Sequence, residues 1–534
     1  MTKFGKSSQT LAELFCEAAT RALSASSIQD IDALYIGAMN PEEFTGESNI
    51  AAQIADALGI SGLPALRVET ASSAGAAALH AACHAVASGY YRHVLVLGGE
   101  KMTHISTSAA TRILAEVIEQ QERGCGATMP ALAAMITERY RKRCRLSHSH
   151  LQRVLCLVAM KNHLNGSRNP YAQFRQPITE EAYFASKLVS TPLRLYDCSP
   201  ITDGAAAVIV TAEKSDVVIS GIGQGTGPVG LRQRDSFTSF RATKVAAQRA
   251  YQMAGLSPKE IDFAEVHDAF TPFEIICTED LGFFPAGKGW QAAEEGRTSI
   301  GSPLPINPSG GLKSRGHPVG ASGVAQVVEV VWRLRGEAEP KLKREPRRAL
   351  AQSTGGLGAN NLVTILERVV RPLDKTRGPE QVEGKAYHPV FDPEGQTRRE
   401  ETRRAERSQA QNLWAPAPAH PALTCPRKAV PASPSEEGRI ETFTILYITP
   451  DGFLPPLALA LIRDRAGQLI MAQGEDISHL KIGREVYLRQ LGGSYVFTVK
   501  SQLRKVKEAL NKLLRGISSP PGKGGSAGKQ KESS

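Results

Sequence analysis

The run Asn307-Pro308-Ser309-Gly310-Gly311-Leu312-Lys313-Ser314-Arg315-Gly316-His317-Pro318-Val319-Gly320-Ala321-Ser322-Gly323 decides how the rest of the chain is read. Five of these residues are glycine, which lacks a Cβ and lets backbone approach a ligand closely. His317 stands directly before Pro318, a residue suited to the first turn of a helix, and a helical pattern runs from Gly316 to Leu334. The stretch reads as a glycine-framed turn that presents an imidazole at the mouth of a long helix. Gly310-Gly311 alone would mean only a tight turn; ahead of Gly316-His317 the pair favours a binding loop.

Outward from this run, the chain repeats its plan. Ser72 to Gly89 is another turn of small residues feeding a long helix, followed by the apolar strand His93 to Gly99, as Ala349 to Ser353 follows the later helix. Leu11 to Leu23 reads as a helix leading to the strand Ile31 to Gly37, and Ala242 to Ala254 leads likewise to Ile261 to Val266. Strands alternating with helices imply an α/β layered fold of two similar halves, residues 1–215 and 216–368, with sheets buried between helices. Tyr140 to Thr191 reads as polar and irregular, part of an inserted lid over about 120–191. Residues 369–437 are rich in proline and charge without period and read as a linker. Five short strand patterns between Thr442 and Lys500 then predict a small β-barrel in a unit of residues 438–516, with a helix from Gln502 to Leu514 and a disordered tail at 517–534.

Composition narrows the function classes. A chain of 534 residues exceeds one ordinary core, and 41% hydrophobic with 22% charged residues is the balance of a globular protein. The longest apolar run, near Phe453 to Ile462, is short and broken by two prolines, so no membrane span is expected. The polar start, Met1 to Thr10, lacks the order of a secretory signal, which makes a cytoplasmic location the expectation. Eight scattered cysteines with no CxxC pair argue against a disulfide framework or a zinc ribbon. The net charge of +11 resides largely after Arg368 and is weak support for nucleic acid, which is not an expected partner.

Three ordered blocks carry a resemblance. The run from Asn307 to Gly323, the tetrad His267-Asp268-Ala269-Phe270, and Leu195-Tyr196-Asp197-Cys198-Ser199-Pro200-Ile201-Thr202-Asp203-Gly204 together resemble the motifs of the thiolase superfamily, in its sterol-carrier-protein-type and archaeal branch, from Thr2 to Arg368. The resemblance implies a five-layered α/β fold, usually a homodimer or higher oligomer, making or breaking a C–C bond beside a coenzyme A thioester. It implies that His317 and His267 line an enolate oxyanion site, His267 through a water, and that backbone N–H groups at Ser72 and around Gly355 or Gly356 form a second oxyanion hole. Asn307, Gly310, Gly311 and Gly316 become candidates for holding the acyl-CoA. Coenzyme A is then a substrate, with no tightly bound cofactor and no metal expected.

The departure is at the nucleophile. In Val68-Glu69-Thr70-Ala71-Ser72-Ser73-Ala74-Gly75, Ser72 occupies the family's cysteine position, Ala269 fills the HDCF slot, and Ser353 stands near the CxG slot. Serine is far less acidic than a thiol, whose pKa is about 8.5, and its acyl ester would return to coenzyme A sulfur only uphill. The expected class is still a thiolase-like acyltransferase. Retro-aldol cleavage of a hydroxyacyl-CoA, which needs no acyl-enzyme, is one alternative, because steroid side-chain aldolases resemble thiolases without this cysteine. A silent scaffolding subunit is the other. The C-terminal unit resembles the OB-fold domain that accompanies archaeal and bacterial thiolases, which implies a scaffold or channel role or docking of another CoA enzyme; of a four-cysteine zinc ribbon only Cys425 remains. Ser72 and Ser73 could equally serve only as helix N-caps. Thr2 to Lys6 resembles the segment just after the family's first strand, and that strand has no counterpart in the sequence.

Overall fold

A computed structural model describes residues 1–28, 30–369, 436–450, 452–477, 480–491 and 494–500. The expectations for residues 370–435, including Cys425, and for the helix and tail beyond Lys500 fall outside the described residues.

Five layers stack as the two-half plan requires. The first sheet runs in the order Ala65–Val68, Ala33–Gly37, His93–Glu100, Gly204–Thr211, with two parallel pairings and a final antiparallel one. The second places Phe263–Glu265 parallel to Arg348–Gly355, then Asn360–Arg368 and Val217–Thr226, both antiparallel. Helices Leu11–Ser24 and Ile50–Ala57 cover the outer face of the first sheet, and Arg241–Ala254 covers that of the second. Between the sheets lie helices Ala74–Ala87 and Ser322–Arg335. A helix buried on both sides has no polar face to spare, and Ala74–Ala87 accordingly carries alanine, glycine and leucine around most of its circumference.

The two central helices touch at their N-termini through backbone. A Cβ added to Gly75 would sit on the Gly320 carbonyl oxygen, and one added to Gly320 would lie 2.5 Å from Gly99 O and 2.7 Å from Gly37 O. No side chain fits between these strands and turns, so the glycines set the distance between the halves. Gly75→Ala should therefore lower the unfolding free energy by about 3 kcal/mol, the upper end for overpacking a core, read by denaturant titration. A loss within 0.5 kcal/mol, about the size of a surface substitution, would show that the layers can part freely.

The insertion differs from its sequence reading. Where 140–191 reads as irregular, the chain forms helices Met129–Arg143, His148–Ser167 and Glu180–Ala185. The 20-residue helix starts at Ser147, whose hydroxyl accepts the His150 N–H at 3.1 Å, and buries Leu151, Val154, Leu155, Val158 and Ala159 along one stripe. The charged and amide residues between them mask that period.

Strands Glu437–Leu446, Leu457–Asp464, Leu469–Gly474, Glu485–Leu491 and Ser494–Val499 close into the expected barrel, the first pairing with both the second and the fourth. The barrel seats on the insertion. Thr442 Oγ1 donates to Met135 O at 2.9 Å, Leu446 pairs with Ser190, and Leu446, Leu459, Leu461 and Met471 join the core that contains Met135, Leu155 and Phe270.

Candidate active site

His267 leaves the end of strand Phe263–Glu265, and His317 leaves the glycine run just ahead of the second central helix. Their rings meet edge to face, with centroids 5.1 Å apart and planes at 86°. Each is held by its neighbours. The His267 N–H donates to Gln352 Oε1 at 2.9 Å, and Gln352 in turn donates to Thr354 Oγ1 at 2.7 Å. The His317 N–H donates to Thr202 Oγ1 at 2.9 Å. Ser322 Oγ lies 2.7 Å from His317 Nδ1 and donates to Pro318 O at 3.0 Å, which anchors the ring.

Both rings are neutral donors. Burial, reinforced by the Arg315 guanidinium, lowers His317 to about 3, and burial with its His317 neighbour holds His267 well below the ordinary histidine value. His267 Nδ1 is buried with no hydrogen-bond partner among the described residues, which leaves it open to a ligand or a water.

Ser72 is half-buried and precedes helix Ala74–Ala87; Ala71 before it adopts φ 55°, a left-handed turn that non-glycine residues rarely take. The N-cap reading of the serines is not what their hydroxyls do. Ser73 occupies the N-cap position without capping the helix, and its hydroxyl donates to Thr70 O at 2.7 Å. Gly355 closes on this turn, since a Cβ there would lie 2.5 Å from Ser73 Oγ; Gly356, at φ 58°, follows. The close approach of Gly75 to Gly320 brings the Ser72 turn toward the His317 loop. Ser353 shares the inward face of its strand with Ala351, and its hydroxyl is buried without a partner. His267 and His317 thus meet directly, and Gly355 closes on the turn that carries Ser72 and Ser73.

Asn307, Gly310, Gly311 and Gly316 answer to packing. Asn307, at φ 54°, accepts the Val266 N–H at 2.8 Å and donates to Glu274 Oε2 at 2.9 Å. A Cβ at Gly310 would meet Gly166 Cα at 2.6 Å, one at Gly311 would overlap the Asp268 carboxylate, and one at Gly316 would meet Thr202 Cγ2 at 2.9 Å. These residues hold the floor on which His317 and Asp268 stand.

Several members of the site escaped the sequence reading. Asp268 accepts the Leu312 N–H at 2.6 Å; burial and the neighbouring Glu274 push its carboxyl up to about 7. Glu100 accepts the Met39 N–H at 2.8 Å and the Gly320 N–H at 3.2 Å, and burial raises it to about 7. Nothing near either residue in sequence announces these partners, which come from loops far along the chain. Cys83, Cys198 and Cys277 are poor substitute nucleophiles: burial pushes Cys83 and Cys198 up to about 12 and holds Cys277 well above the ordinary thiol value.

The halves match two family models, Thiolase, N-terminal domain over residues 1–214 and Thiolase C-terminal domain-like over residues 223–368. The chain belongs to the thiolase superfamily and carries an additional C-terminal β-barrel domain. It is 40% identical over 378 residues to the acetyl-CoA acetyltransferase of Methanothermobacter thermautotrophicus, covering 69% of this chain and 97% of that one. Among solved structures, the Ltp2-ChsH2(DUF35) aldolase aligns with a TM-score of 0.58 at 25% identity over 69% of this chain and 95% of that one. A monomeric SCP2-thiolase like protein type 1 of Mycobacterium smegmatis shares the fold, with a TM-score of 0.63 at 16% identity over 93% of this chain and 98% of that one. The chain is accordingly a thiolase-family enzyme of acyl-CoA thioesters. Among the described residues, no helix is long and apolar enough to cross a membrane.

Proposed function

We propose that this enzyme breaks or forms a C–C bond beside a coenzyme A thioester through an enolate, without an acyl-enzyme, in the manner of an aldolase on a 3-hydroxyacyl-CoA. One observation carries the reading: the histidine pair is kept as two neutral donors while serine or alanine stands at Ser72, Ala269 and Ser353. In the cleavage direction the β-hydroxyl gives up its proton, the Cα–Cβ pair becomes the thioester enolate, and the carbonyl product departs. His317 and His267 hold the negative oxygen, and Cα then takes up one proton, so none is consumed. Backbone N–H groups at Gly355 and Gly356 are assigned to the second oxyanion site. For Asn307, Gly310, Gly311 and Gly316 the assignment is support of the acyl-CoA pocket from beneath.

Acyl transfer through Ser72 is the second reading, favoured by the partly exposed Ser72 on its left-handed turn and by the name of the 40% identical relative. Incubation with 3-hydroxyacyl-CoA and with acetyl-CoA, followed by product analysis and intact-protein mass spectrometry, separates the two. Aldehyde or ketone release with no adduct supports the lyase. An acyl adduct on Ser72 that chases into product establishes acyl transfer, and turnover of neither substrate leaves a non-catalytic scaffold.

A further inference from the structure

Lys313 is 1% exposed, and among the described residues its ammonium nitrogen has no hydrogen-bond partner. A buried lysine without a partner is costly, and an apolar side chain of the same length would fill the space more cheaply. Its surroundings are equally unfinished. From segment Leu195–Asp197 comes the Asp197 carboxyl, fully buried, whose Oδ2 accepts Tyr183 Oη and the Arg194 N–H at 2.8 Å each while Oδ1 has no partner. From the start of helix Thr271–Asp280 comes the buried Thr271 hydroxyl, set against the Asp197 carboxyl. From helix His148–Ser167 comes His163, whose Nδ1 is unpartnered and whose ring packs between Phe174 and Tyr196. The charges of Asp268 and Glu274 also act on the ammonium, Glu274 already paired with Lys161 at 2.7 Å. Three incomplete polar groups in one buried place, Lys313 Nζ, Asp197 Oδ1 and His163 Nδ1, amount to a receptor for something polar.

The place adjoins the histidine pair. Ser199 N–H donates to Ala269 O at 2.9 Å and Cys198 bridges to Phe270, so the wall carrying Asp197 is tied to the strand end carrying His267. We propose that Lys313, Asp197 and Thr271 form a recognition site for a hydroxyl group on the acyl chain. The hydroxyl accepts from the Lys313 ammonium and donates to Asp197 Oδ1, with Thr271 able to do either. Three carboxyls around one unpaired lysine repel a carboxylate or phosphate, which leaves a neutral group that both donates and accepts. This site rests on the aldolase reading only for the identity of that group as the β-hydroxyl.

Binding tests it without turnover. Affinities of the full chain are measured calorimetrically for a 3-hydroxyacyl-CoA and for the saturated acyl-CoA of equal length. The wild type should prefer the hydroxylated ligand about tenfold, the worth of one charge-assisted hydrogen bond, and Lys313→Met should bring the two within about twofold. Thr271→Val, a smaller change, should narrow the gap even if Lys313→Met fails to fold. Equal affinities in the wild type, the result for a chamber that holds only water, overturn the proposal, as does a preference that survives both substitutions. Turnover of the hydroxylated ligand is followed in the same samples. Preference without cleavage sinks the aldolase reading and leaves Lys313 as assigned; cleavage without preference does the reverse.

Discussion

His317→Ala should lower turnover of a 3-hydroxyacyl-CoA by about 10²–10³-fold with little change in KM, the loss seen when one oxyanion donor is removed. The reason is differential: the thioester oxygen of the bound substrate is a weak acceptor, while the enolate oxygen carries nearly a full charge, so the donor counts mainly in the transition state. The site is prepared for that moment, since Thr202, Ser322 and the Gly320 backbone hold the His317 loop before substrate arrives. The same geometry sets the pH response. Burial keeps His317 neutral down to about 3, so His317 should contribute no limb to turnover near the ordinary histidine value of 6.5. A limb there that His317→Ala abolishes would mean that imidazolium, not neutral imidazole, is the active donor. His317→Asn, which keeps an N–H on a shorter stem, should recover part of the loss, and an Asn variant as slow as the Ala variant would argue for proton transfer instead.

What was legible in the sequence follows from how local its causes are. Leu11–Ser24 announces itself through the helical spacing of Leu11, Leu14, Phe15, Ala18 and Ala19, and the closed barrel through alternation along single strands. The catalytic neighbourhood was legible because glycine and histidine stand together at the end of elements that must meet. The insertion was misread because Lys161, Asn162 and Asn165 interrupt its apolar stripe, and all three are recruited by distant partners: Glu274, Asp268 and the Asn307 carbonyl. Polar residues that look like loop composition are there the inward face of a helix. Lys313 shows the same limit: nothing beside it in the glycine run points to Asp197, Asp268 and Glu274, which the fold brings around it.

His80→Gln should change the pH dependence of stability by close to one full proton. His80 lies on the central helix Ala74–Ala87, 4% exposed, with Nε2 2.9 Å from Thr364 Oγ1 on the second sheet; burial and the neighbouring His84 lower it from 6.5 to about 3. The folded state therefore binds fewer protons than the unfolded state between those values. Stability from this group is fully present above about pH 6.5 and is lost as the pH falls toward 3, at about 1.4 kcal/mol per unit. Glutamine keeps a donor for Thr364 but cannot titrate. Relative to the variant, the wild type should lose roughly 2 kcal/mol between pH 6.5 and about 4.5. The single-site difference is needed because the whole-chain curve mixes opposite signs. His163 and His317, lowered to about 4 and 3, act as His80 does, whereas Glu100 and Asp268, raised to about 7, favour the folded state as the pH falls. Denaturant titrations of both proteins across this range supply the comparison. Parallel curves would mean that His80 takes up its proton in the folded layer, and hence that water reaches the space between the sheets; divergence on the acid side alone is the signature of a closed core that excludes the charge.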